Sequence, residues 1–138
     1  MSVLCTICAR GGSKRLPNKA LRLLNGKPLI SYTIKQALDS KVFAHIVVST
    51  DSKIIADQAK TSGVESWFLR PKELSTDTSS SEKAWKHAIK HIESKNNEIS
   101  IVIAPQVTSP LREPSDFDEA IREFKKNNFD SLFSACIA

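Results

Sequence analysis

The chain has 138 residues, 41% of them hydrophobic and 25% charged, which fits one globular domain with a core of ordinary size. No apolar run approaches the ~18 residues of a transmembrane helix, no secretory leader opens the chain, and three cysteines make an odd number, so the reading is a soluble, cytoplasmic protein with reduced thiols. The net charge of +5 is uneven: seven Lys/Arg precede the first acidic residue, Asp39, and the other 13 against 15 Asp/Glu leave −2, so the first quarter of the chain calls for an anionic ligand.

In chain order, Val3 to Ala9 reads as a buried strand. Cys5 and Cys8 spell C-x-x-C inside it, but positions i and i+3 of a strand face opposite ways, so two buried structural thiols are expected and no redox or zinc pair. The loop from Arg10 to Lys19 packs cations around Gly11 and Gly12, and Pro17 stiffens it. It matches neither G-x-x-x-x-G-K-[ST] nor G-x-G-x-x-G. Its chemistry still suits phosphate: glycines let backbone N–H groups approach an anion, and Arg10, Lys14 and Lys19 neutralise charge.

Helical spacing of Ile30, Ile34, Ala37 and Leu38 predicts a helix over 28–40, and the β-branched run from His45 to Thr50 a second strand. A helix from about Ser52 ends at Gly63, and a short strand is expected over 65–69. After a polar loop over 70–78, Ser79 and Glu82 form a capping box for a helix with Ala84, Trp85, Ala88, Ile89 and Ile92 on its apolar face. Trp85 and the phenylalanines are read as core. His87 and His91 share a face at i, i+4, but with no third ligand they are read as a solvated helix face. Ile99 to Ala104 is the next strand, the loop over 105–114 precedes a helix carrying Phe117, Ala120, Ile121 and Phe124, and a last strand is expected over 131–138.

Strand and helix alternate throughout, which predicts an α/β fold, a mostly parallel sheet with helices on both faces. Ligands bind such sheets at the carboxyl ends of the strands, and the unusual residues lie in those loops.

Six stretches, in order and spacing, carry a family resemblance: Arg10-Gly-Gly-Ser-Lys-Arg-Leu-Pro-x-Lys19, Asn25-Gly-Lys-Pro-Leu-Ile30, Val48-Ser-Thr-Asp51, Arg70-Pro-Lys-Glu-Leu74, Asp77-Thr-Ser-Ser80 and Thr108-Ser-Pro-Leu-Arg112. The chain resembles the acylneuraminate cytidylyltransferases, or CMP-sialic acid synthetases, including relatives acting on pseudaminic and legionaminic acids. The resemblance implies a Rossmann-like nucleotidyltransferase that couples CTP to an acidic nine-carbon 2-keto sugar and releases pyrophosphate with the help of Mg²⁺. It also implies that residues 1–138 are the nucleotide-binding part of a longer cytidylyltransferase domain, whose remainder supplies the acidic metal-binding pair, much of the sugar pocket and a homodimer segment.

Carried over by position, Arg10 and Lys19 are the expected catalytic pair and hold the triphosphate together with Lys14, while Gly11, Gly12 and Ser13 supply loop backbone. Arg70, Ser81 and Gln106 match positions around the nucleotide. Arg112 either orients phosphates or sugar or braces its loop, and Asp51 either caps the next helix or touches ligand. Where the family usually has asparagine after the loop lysine, this chain has Ala20. That change and the acidic pair's absence favour a second reading, a shortened non-catalytic homologue that binds nucleotide or a full-length partner. A basic RNA-binding domain is disfavoured, because no aromatics interleave the cations; neither nucleic acid nor membrane is an expected partner.

Overall fold

The computed structural model describes residues 2–12, 18–76, 78–95, 97–135 and 137. Its centre is a parallel sheet of three strands, β1 (Val3–Cys8), β4 (His45–Ser49) and β5 (Ile101–Ile103), in the order β4-β1-β5. Register runs from Leu4 opposite His45 to Cys8 opposite Ser49, and from Val3 opposite Ile101 to Cys5 opposite Ile103. β1 is buried on both sides because its neighbours flank it and helices cover it, so its sequence is almost wholly apolar.

Side-chain alternation divides the core in two. Cys5, Ile7 and Val48 pack with Ile30, Ile34 and Ala37 of α1 (Leu29–Ser40), Ile55 and Ala59 of α2 (Lys53–Thr61) and Phe117 of α4 (Pro114–Lys126). Leu4 and Val47 face the other way, onto Phe68 and onto Ala88 and Ile92 of α3 (Ser81–Glu93). Helices therefore cover both faces, as the strand–helix alternation predicts. A small antiparallel hairpin, β2 (Leu23–Leu24) and β3 (Lys27–Pro28), turns through Asn25 and Gly26, both at positive φ (51° and 81°), the pairing that suits a tight two-residue turn.

Three expectations need correction. Over 65–69 only Glu65 pairs with β4: its N–H reaches Ile46 O and its carbonyl accepts from Val48 N–H. The next rung is lost because the Ser66 hydroxyl takes the Val48 carbonyl (3.0 Å), and Phe68 then turns into the core beside α3. At the start of α3 the cap is Ser80, whose Oγ accepts from Lys83 N–H at 3.1 Å. Ser79 instead closes the preceding loop, donating to Glu73 O and accepting from Thr76 N–H. Last, the described residues of 131–138 form no strand and lie exposed, with Phe133 at 86%. Apolar alternation makes a strand only where a neighbouring edge supplies the ladder, and these residues have no strand pairing among the described residues.

Candidate functional site

A cleft of ≈ 260 Å³ opens at the carboxyl ends of β1 and β5, against the start of α3. Its lining comes from Thr6, Cys8, Ala9 and Arg10 on β1 and its loop, Lys19 and Ala20, Ser81 and Trp85 of α3, and residues 104–108 after β5. The parallel sheet explains the position: β1 and β5 end side by side and their loops diverge, leaving a crevice. Of the residues predicted from sequence, Arg10, Lys19, Ser81 and Gln106 come together here. Ser13 and Lys14 lie outside the described residues.

The glycine loop is tied to the second strand–helix unit. Gly11 N–H donates to Asp51 Oδ1 at 2.9 Å, and a Cβ on Gly11 would stand 3.0 Å from Ser52 Cβ, so any larger residue would have to push Ser52 back by a few tenths of an ångström for the loop to sit this close. Asp51 therefore does not cap α2; Ser52 does, its Oγ accepting from Ile55 N–H. The Gly11 N–H is engaged by that carboxylate, while Gly12 has open space around its α-carbon. Lys19 opens a short 3₁₀ turn (Lys19–Leu21), which carries Ala20 into the core at 4% exposure while it still borders the cleft.

Arg70, expected at the nucleotide, is not part of the cleft lining; it lies beside Cys8, which is. The arginine is 5% exposed, its N–H is fixed to Thr50 O at 2.8 Å, and its Nε and Nη2 are buried without a hydrogen-bond partner. It faces Cys8, whose thiol pKa is raised above the ordinary value by burial and partly lowered by that guanidinium. Thr6 Oγ1, Ser49 Oγ and His87 Nδ1 are likewise buried and unpartnered. Buried polar atoms are normally satisfied, and an unpaired cation is the costliest of them. Thr6, Ser49 and Arg70 thus leave buried polar atoms near the carboxyl ends of β1 and β4, with the Cys8 thiol beside Thr6 and Arg70.

Thr6, Cys8 and Trp85 were not singled out as site residues. Thr6 and Cys8 share one face of β1, opposite Cys5 and Ile7, so the polar atoms in an otherwise apolar strand were the available signal. Cys5 fits its structural reading, with burial raising its thiol pKa, but Cys8 borders the cleft. Trp85 corrects the core assignment, being only half-buried and part of the cleft wall. Its helical position alone cannot distinguish the two.

His87 and His91 are not a solvated face either. His91 stacks on Phe68 (centroids 4.5 Å apart, 18° between planes), and His87 meets the same ring at 5.5 Å. Arg112 does not line the cleft. Its Nη1 donates to Gln36 Oε1 at 2.8 Å and Thr33 Oγ1 at 3.4 Å, and its Nη2 to Gln106 O at 2.9 Å. As for the implied Mg²⁺, the cleft lining contains no carboxylate, and the described residues hold no group of three His, Cys, Asp or Glu suited to a metal. The described side chains of the cleft do not form a divalent-cation site by themselves.

The sequence matches the family model described as Cytidylyltransferase over residues 4–136. It is 40% identical over 135 residues to the pseudaminic acid cytidylyltransferase of Campylobacter jejuni (98% of this chain, 58% of the relative). It is 43% identical over 129 residues to the CMP-N,N'-diacetyllegionaminic acid synthase of Legionella pneumophila (91% and 54%). The structure of a CMP:2-keto-3-deoxy-manno-octonic acid synthetase complexed with CTP superposes with a TM-score of 0.77 at 23% identity, covering 93% of this chain and 49% of that one, a likeness of fold. The chain thus spans little more than half the length of these curated relatives. With its parallel sheet and a family match over nearly all its length, the chain belongs to the cytidylyltransferase family.

Proposed function

We propose that the chain is the nucleotide-binding part of an enzyme that couples CTP to an acidic nine-carbon 2-keto sugar. The observation that carries this reading is the cleft itself, with Arg10 and Lys19 at its wall and the buried Arg70, two of whose guanidinium nitrogens lack a partner, beside Cys8 of that wall. Relatives named for pseudaminic and legionaminic acids support the sugar class. In the proposed reaction the sugar's anomeric oxygen forms a bond to the α-phosphorus, the bond to the bridging oxygen of the β-phosphate breaks, and pyrophosphate leaves while the hydroxyl proton passes to solvent.

Such a displacement needs in-line placement and neutralised charge more than a covalent nucleophile. Arg10 and Lys19 hold the triphosphate and serve catalysis, with Lys14 and the backbone of Gly11, Gly12 and Ser13 completing the cradle. Engagement of Gly11 N–H by Asp51 means that residue contributes closeness of approach, and Gly12 is better placed to offer a donor. Arg70 and Gln106 meet the nucleoside, Ser81 lies at the start of α3 where N–H groups are free, and Arg112 serves the site from behind. Mg²⁺, where it enters, would draw its carboxylate ligands from outside this cleft. A cytoplasmic location and a homodimer accompany the reading, with no nucleic-acid or membrane partner; no described helix is long and apolar enough to cross a membrane.

The second reading, a non-catalytic nucleotide-binding homologue, starts from the carboxylate-free cleft bordered by Ala20, but the relatives, named as cytidylyltransferases and synthases, do not favour it. Incubation with CTP, Mg²⁺ and neuraminic-, pseudaminic- or legionaminic-type acids, followed by pyrophosphate release, separates the two. Release dependent on one sugar establishes the enzyme and overturns the homologue; a folded chain that binds no nucleotide overturns both readings.

A further inference from the structure

The loop after β5 is held from the side away from the cleft. Gln106 lines the cleft, and its backbone carbonyl accepts two hydrogen bonds, from Arg112 Nη2 at 2.9 Å and from Ser109 N–H at 3.2 Å. Arg112 Nη1 reaches Gln36 Oε1 and the fully buried Thr33 on α1, and its guanidinium stands 5.7 Å from the centre of the Phe117 ring. Gln36 returns the link, its Nε2 donating to Pro110 O at 2.6 Å. The two side chains close a ring of bonds from the start of the loop through α1 to its end. Next to Gln106, Val107 is anchored in the core, so the backbone at 106 is fixed from both sides.

We propose that Arg112, with Gln36, is a positioning residue of the nucleotide cleft: it acts through Gln106, holding that residue's backbone so that its amide side chain meets the nucleoside, and touches no ligand itself. This rests on the reading of the cleft as a CTP site. The planar guanidinium suits the task, because its two Nη groups reach acceptors on different elements, the loop and α1, at once, which a lysine ammonium on a flexible stem does not hold in place. Both Nη groups are already engaged, which leaves Arg112 poorly disposed to follow a phosphate into the cleft.

The test is a set of calorimetric CTP titrations on the whole chain: wild type, Arg112→Lys, Gln36→Ala, Gln106→Ala and the double variant Arg112→Lys/Gln106→Ala. Arg112→Lys and Gln36→Ala are expected to weaken CTP binding about tenfold each. In the Gln106→Ala background the Arg112→Lys loss should shrink to about twofold or less, the signature of one residue acting through another. A full loss in that background, or none in the single variants, overturns the proposal. If wild type itself fails to bind CTP, the functional reading falls and the clamp is judged without nucleotide, by hydrogen exchange at the Ser109 amide. Exchange about tenfold faster in Arg112→Lys upholds the clamp, and unchanged protection removes it.

Discussion

A guanidinium at 5% exposure with two unsatisfied nitrogens costs folding free energy that a surface arginine does not. Arg70→Met, which keeps length and apolar stem, should therefore raise stability by about 1–3 kcal/mol while abolishing measurable CTP binding. Thermal melting and calorimetry on the same sample check both halves, and a stability loss would mean that Arg70 is structural. Lys19 makes the opposite case. It is half-buried at the cleft wall, so Lys19→Ala should weaken CTP by about 1.5–3 kcal/mol with the melting temperature nearly unchanged. Arg10, Lys19, Ser81 and Gln106 were legible as neighbours: strand–helix alternation brings the loop after β1, the start of α3 and the loop after β5 to one end of the sheet, and the family resemblance picked the positions within them. Thr6 and Trp85 were hidden by their own sequence neighbourhoods. A threonine in an apolar strand and a tryptophan on an apolar helical face both resemble core until the loop after β5 is seen to leave a gap beside them.

At the level of elements, local chemistry was readable where one helix turn decides it and misread where partners come from afar. Ser79 and Glu82 have capping-box spacing, yet the neighbouring Ser80 makes the bond, because the loop around the 3₁₀ turn Lys72–Leu74 captures Ser79. Ser80→Ala should cost about 1 kcal/mol in urea unfolding, and Glu82→Ala should leave the midpoint almost unmoved. The expected strands over 65–69 and 131–138 failed for a related reason: strand pairing is a property of two segments, and periodicity reports only one.

α3 also carries a pH dependence. Burial, then the charges of His91, Arg70 and Lys90, hold the His87 pKa below its ordinary 6.5. Between that value and the lowered one the unfolded chain binds more protons than the folded chain, so this contribution is present above about pH 6.5 and is lost as pH falls. His87→Phe, which keeps an aromatic ring against Phe68, should flatten the decline in melting temperature between about pH 7 and about pH 5. An unaltered decline would assign it to other groups.

Over the whole molecule, the three parallel strands and four α-helices among the described residues bring segments as distant in sequence as residues 6 and 108 to one cleft. The described residues that line this cleft fall between Thr6 and Thr108, although the relatives run nearly twice as far as this chain. Two of the seven cations of the first quarter, Arg10 and Lys19, line the cleft where β1 ends, so it opens between positive side chains with no carboxylate in its lining. The nucleotide half should therefore assemble by itself. Calorimetric titration of the 138-residue chain with CTP, ATP, GTP and UTP, with and without Mg²⁺ and at two salt concentrations, tests this most directly. Binding of CTP in preference to the other three, weakened by salt, is the predicted result. A folded chain that binds no nucleotide, or all four alike, would contradict the assignment of this cleft to CTP.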